Sequence, residues 1–192
     1  MADAPHSFFL NIPDDFQKKL RVFHSIEGSA PNFSVSEICE KSGISRSTFY
    51  RYFGSQEDFC CWYILFCSSM ALDHVGQALT WREGLTRHFQ MLQQEKNVLK
   101  VCAEWGDGCT TSYLESYRKN VLSKSVAARG LDASSKTMKF QIDVYSHSEV
   151  WTTIRWLRTD AKQSPEELAE LLESCIPDQL RKALEPRKRP PL

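Results

Sequence analysis

The segment from Val35 to Phe53, VSEICEKSGISRSTFYRYF, constrains the fold more than any other stretch of the chain. It predicts two short helices hinged at Gly43. Ser34, followed three residues later by Glu37, forms the sequence pattern of a capping box. Val35 and Ile38, with Cys39 beside them, give the first helix an apolar side. Gly43 stands where the chain must turn, because glycine reaches backbone angles that a Cβ opposes. Ile44 plugs the angle between the helices, and Ser45 caps the second one. Phe49 and Phe53, four apart, fall on one face and root that helix in the core. Arg46, Ser47, Thr48, Tyr50 and Arg51 then lie largely on the other faces. Ser55 opens a third helix, with Asp58 as its capping acid. The pattern is a helix-turn-helix, in which the second helix enters the major groove of DNA. Hydrogen-bonding side chains near its N-terminus suit base edges and phosphate alike.

A plain helical hairpin with a solvated outer face accounts for the caps and the phenylalanines. It does not account for Tyr50, Tyr52, Arg46 and Arg51, which give more aromatic and arginine surface than solubility requires.

The run from Ser42 to Phe59, SGISRSTFYRYFGSQEDF, resembles the DNA-binding head of TetR-family transcription regulators, whose pattern is roughly AGVSRGTFYRYFGSKEDL. A fainter echo follows in Trp156-Leu157 and in SPEELA from Ser164 to Ala169, similar to the meeting of the last two helices in some TetR-like regulators. The resemblance implies an all-α protein of about nine helices. A three-helix head would precede a helical ligand-binding and dimerisation domain. It places Arg46, Ser47 and Thr48 where the family touches bases and phosphates. Tyr50 matches the tyrosine that usually contacts a phosphate, and Arg51 and Tyr52 match variable contact positions. With the cap Ser45 and with Gln56, these are the candidate DNA-binding residues. Gln56 departs from the family, which usually carries a lysine there. The stretch Glu27 to Phe33 also departs, being longer than the usual glycine-aromatic turn.

The expected organisation is a flexible N-terminus over 1–12, a DNA-binding head over 13–58, a regulatory and dimerisation domain over 59–185, and a disordered tail over 186–192. The tail's basic run, Arg187-Lys188-Arg189, is either a solvated end or a nucleic-acid contact. A hydrophobic content of 42% with 11% aromatic residues fits a folded globular chain of 192 residues. The net charge is zero. From Asp14 to Asp58, six basic side chains meet seven acidic ones, leaving −1. DNA binders usually carry a basic footprint, so binding here rests on a local stripe of Lys18, Lys19, Arg46 and Arg51 from two heads.

The seven cysteines, Cys39, Cys60, Cys61, Cys67, Cys102, Cys109 and Cys175, form no CxxC pair. With no basic leader after Met1, they point to a reducing cytoplasm. Most read as small core residues, and a thiol redox sensor stays open as an alternative. The longest uncharged run, Phe59 to Leu72, has 14 residues and predicts a central buried helix rather than a membrane span. No nucleophile–base set, phosphate loop or metal-ligand spacing appears, so neither an enzyme nor a cofactor is expected.

Periodicity predicts further helices at Asp14–Ile26, Trp81–Glu95, Asn97–Trp105, Thr110–Arg129, Ser134–Asp160 and from Ser164 onward, the last interrupted at Pro177. On the long one, Phe140, Val144, His147, Trp151 and Ile154 form one seam. On the last, Ser164 and Glu167 suggest a second capping box. The resemblance implies a homodimer on a double-stranded, palindromic operator, with Trp151, Ile154, Trp156, Leu168, Leu171, Leu172 and Cys175 as interface candidates. It also implies a pocket for a small apolar or aromatic effector. Its candidate lining is Phe66, Trp81, His88, Phe89, Cys102, Trp105, Tyr113, Tyr117 and Tyr145. The function expected is that of a ligand-responsive repressor. A helical interaction module without DNA binding, and a regulator answering to a protein partner, remain as alternatives.

Overall fold

A computed structural model describes residues 14–105 and 109–185. The N-terminal segment, the turn at Gly106-Asp107-Gly108 and the basic tail lie outside the described residues. Among the described residues there are ten α-helices: α1 (Asp14–His24), α2 (Val35–Ser42), α3 (Arg46–Phe53), α4 (Gln56–Met70), α5 (Trp81–Gln94), α6 (Lys96–Glu104), α7 (Cys109–Ala128), α8 (Lys136–Arg158), α9 (Pro165–Ser174) and α10 (Asp178–Ala183). A turn of 3-10 helix at Leu72–His74 follows α4, and a single bridge pairs Val75 with Leu79. Among the described residues there is no strand, and no helix is long and apolar enough to cross a membrane.

The caps explain the helix starts. Ser34 and Glu37 close a reciprocal box at α2, and Thr80 and Glu83 close another at α5. Ser55 accepts from the Asp58 N–H at 3.0 Å and donates to its carboxylate at 2.7 Å, which starts α4. At α9, Ser164 accepts from the Glu167 N–H with Pro165 in the first turn, and no return bond from the Glu167 side chain closes the expected box. Pro177, which has no N–H to continue a helix, separates α9 from α10.

Helix α4 is the spine. Phe59, Cys60, Cys61, Tyr63 and Cys67 are wholly buried, as an apolar run facing neighbours on all sides requires. Phe59 packs on Phe23, Phe33, Phe49 and Phe53, with ring centroids 4.9–6.2 Å apart. The same core continues through Leu85, Leu99, Leu157 and Leu168. It therefore runs through the expected 58/59 boundary without a break. A second core, around Trp81, Leu122, Ile142, Tyr145 and Leu180, closes the far end of the body.

The expected seam of α8 is corrected by the fold. Of its five members only Ile154 is buried. Phe140, Val144, His147 and Trp151 face outward. The inner face includes Met138, Ile142, Tyr145, Glu149, Ile154 and Trp156, with Thr153 beside them. Glu149 and Thr153 interrupt its apolar pattern in the sequence. Glu149 sits inside because Arg118 of α7 meets it with two hydrogen bonds, at 2.7 and 3.2 Å, and both residues are buried.

Candidate nucleic-acid interface

Helix α2 ends at Gly43, whose φ of 69° is left-handed and whose N–H reaches back to the carbonyls of Cys39 and Glu40. Two residues later Ser45 caps α3, accepting from the Thr48 N–H at 3.2 Å. Its hydroxyl also lies 2.9 Å from Ser47 Oγ and 3.0 Å from Thr48 Oγ1. Phe49 and Phe53 are buried and fix the helix against α4 through Phe59 and Trp62. The first turn of α3 thus projects from a rigid root.

The candidate contact residues divide by exposure. Ser45, Arg46, Ser47, Tyr50 and Arg51 are exposed, and Tyr50 presents 51% of its surface to solvent. Thr48 is half-buried at the rim. Tyr52 is half-buried and packs against the head core, edge-on to Phe53, with the Arg51 guanidinium 5.5 Å above its ring. Gln56 spends its amide N–H on the Phe33 carbonyl at 2.6 Å. It braces the long 27–33 loop at the start of α4.

The charges of the proposed stripe are engaged within the head. Lys18 pairs with Asp14 at 2.5 Å and Lys19 with Asp15 at 3.8 Å, both one helical turn apart. Arg46 donates to Ser36 Oγ across the two helices, and Lys41 to Ser29 Oγ at 2.7 Å. Exposed pairs of this kind contribute little, about 0–1 kcal/mol, so a phosphate can displace them.

The head is tied to the body along α4 and α1. Asp58, in the first turn of α4, stands beside Tyr113 of α7 and pushes that phenol up to about 12. Tyr117, one turn further along α7, donates to Asp73 beyond the C-terminal end of α4 at 2.7 Å. His24 bonds Glu95 at 2.7 Å, and Asn97 donates to Glu27 at 3.0 Å. Sequence reasoning missed Asp58, Asp73 and Glu95 as joints, since a lone surface carboxylate carries no signal of its partner.

The pocket candidates do not gather in one place. Trp81 and Tyr145 pack together in the far core, Phe89 packs on Trp156, and Trp105 lies against Phe33 of the head. Phe66 and Tyr117 line an open groove with Tyr52, Trp62 and Leu65. Cys102 is buried against Cys60, and Tyr113 is partly exposed. His88 and Tyr117 alone of the set line a small cavity of about 20 Å³, together with Arg118, Glu149 and Thr153. Burial holds the thiols of Cys61, Cys67 and Cys102 well above their ordinary range, which keeps them protonated and unreactive.

The interface candidates divide too. Ile154, Trp156, Leu168 and Leu172 are buried within their own chain, and Trp156 Nε1 donates to the Gln163 carbonyl at 3.0 Å. Trp151, Leu171 and Cys175 are exposed. Phe140 and Val144, not among the interface candidates, extend Trp151 into a stripe along α8, exposed by 67%, 45% and 49% respectively.

Residues 26–60 match the family of bacterial regulatory proteins, tetR family, and residues 79–178 match a transcriptional regulator C-terminal region of the same family. Among solved structures, the chain is similar in fold to the dihydroxyacetone kinase operon activator DhaS, with a TM-score of 0.57 and 17% identity, over 87% of this chain and 98% of that one. No curated relative matches the chain. With a capped, phenylalanine-rooted helix-turn-helix at its head and a family match over more than half its length, the chain belongs to the TetR family and is a DNA-binding transcriptional regulator.

Proposed function

We propose that this regulator works as a homodimeric repressor reading a two-fold symmetric operator with its paired α3 helices. One observation carries the reading. The first turn of α3 is exposed and rich in donors, yet it is held rigidly by Gly43, Ser45, Phe49 and Phe53. Arg46, Ser47 and Thr48 meet base edges, while Ser45, Tyr50 and Arg51 meet phosphate. Tyr52 and Gln56 support the helix from behind. The exposed apolar stripe of α8, joined by Leu171 and Cys175, supplies the dimer face. Three large apolar side chains on one side of a helix favour burial against a second copy. The two heads then address half-sites about 34–36 Å apart or a multiple of that.

An effector seated in the body would act through α7, which grips α4 near both ends by Tyr113–Asp58 and Tyr117–Asp73. A shift of α7 moves α4, and α4 carries the head with it through Phe59. The scatter of the large aromatics argues against a wide aromatic pocket, and the cavity beside His88 and Tyr117 is the favoured seat. No step of this cycle is catalytic.

Binding of the purified protein to random and selected duplexes, at low and moderate salt, tests the reading. Affinity should fall steeply as salt rises, because phosphate contacts release counterions. A protein that ignores both duplexes at either salt concentration is no operator reader.

A further inference from the structure

The cavity lies where α4, α5, α7 and α8 meet, between the helix that carries the head and the helix that bears the exposed apolar stripe. Its polar groups are unusual for a core. Arg118 gives Nε and Nη2 to Glu149, which leaves Nη1 without a partner among the described residues. His88 bonds the Cys67 carbonyl. Its Nδ1 has no partner among the described residues, and in the tautomer that carries the proton on Nε2, facing Cys67, Nδ1 is an acceptor. Both residues are at most 2% exposed. Around them Ile64, Leu72, Leu114 and Val150 present apolar wall. The site thus offers one strong donor and one acceptor in a largely apolar surround. Arg118 is already neutralised by Glu149, which disfavours a second anion.

A group that both accepts from Arg118 Nη1 and donates to His88 Nδ1 completes this arrangement. Water does so, and about 20 Å³ is room for one. A hydroxyl does so as well, and it brings a carbon stem for the apolar wall. A buried ion pair is seldom needed for stability, because apolar residues of equal volume often serve as well. Here the pair stands beside a cavity, with Arg118 Nη1 and His88 Nδ1 unpaired among the described residues, which makes a polar seat in an apolar core.

We propose that this cavity seats the hydroxyl group of a small neutral alcohol, which bridges Arg118 and His88 and opens the cavity by parting α7 from α4. The proposal rests on the reading of the protein as effector-responsive, and names the chemistry of that effector. A carboxylate of the same length is excluded by Glu149, and an apolar isostere leaves both polar atoms bare.

The test uses the full-length protein and three probes of one size: 1-butanol, butyrate and 1-chlorobutane. The ¹⁵N signal of His88 Nδ1 is followed by NMR, since it moves when that nitrogen gains a hydrogen-bond donor of a new kind. The expected result is a saturable shift with 1-butanol at least tenfold lower in concentration than any shift with the other two. The double variant Arg118→Met with Glu149→Leu keeps the volume and removes the donor. It should lose that preference while retaining a cooperative thermal transition. Equal response to 1-butanol and 1-chlorobutane, or none to either, means that the cavity holds water only and overturns the proposal. Duplex binding by the same samples without probe is measured in parallel. Its persistence separates failure of the alcohol site from failure of the DNA-binding assignment.

Discussion

At the residue scale, reading and anchoring are done by side chains on opposite faces of α3. Replacing Arg46 or Thr48 with alanine should relax base preference, with a loss of about 1–3 kcal/mol on the preferred site where the contact is bidentate. Replacing Tyr50 with phenylalanine should weaken all duplexes alike. Fluorescence anisotropy on matched and mismatched duplexes separates the two patterns, and an unchanged affinity in either variant removes that residue from the interface. His88 gives a pH prediction. Burial, with Arg118 nearby, lowers it to about 3 when folded, against about 6.5 unfolded. The unfolded chain therefore binds more protons between those values. Stability falls as pH drops through that window, by at most about 1.4 kcal/mol per unit. Urea midpoints should decline more steeply with falling pH in the wild type than in His88→Gln, and parallel declines would contradict a neutral folded His88. The anchors were legible in the sequence because Phe49, Phe53 and Ser45 announce themselves by spacing. The role of Gln56 was not, because its partner is a backbone carbonyl 23 residues away.

At the element scale, caps and periodicity placed every α-helix to within a few residues, since a cap is a local bond between neighbours in sequence. The orientation of α8 was beyond periodicity. Its outer stripe of Phe140, Val144 and Trp151 is apolar, while its inner face carries Glu149, which is buried because Arg118 pairs with it. Tests at this scale act on the turn. Gly43→Ala puts a Cβ into a left-handed backbone at φ 69°, with open space around it. The cost is therefore conformational alone, about 1–2 kcal/mol. Ser34→Ala removes one arm of the capping box and should cost about 1 kcal/mol. Both are read from denaturant midpoints. A loss well beyond these values in Gly43→Ala would mean that the turn is crowded.

At the scale of the whole molecule, one core links head to body, and coupling between them needs no hinge of low packing. Which carboxylates join α7 to α4, and which cavity survives packing, were illegible because both depend on contacts between distant segments. The dimer face makes its own prediction. Phe140→Asp combined with Trp151→Asp places charge on the exposed stripe, without touching the buried face of α8. Sedimentation should show a folded monomer, and affinity for a palindromic duplex should drop by an order of magnitude or more. A dimer that survives both substitutions is built elsewhere. The pairing of two α3 helices over one site is tested most directly by selecting bound duplexes from a random pool with the purified wild-type protein. The expected outcome is enrichment of a two-fold symmetric sequence with half-sites one helical turn or a multiple apart. Recovery of an asymmetric site, or of no enriched sequence at all, would contradict it.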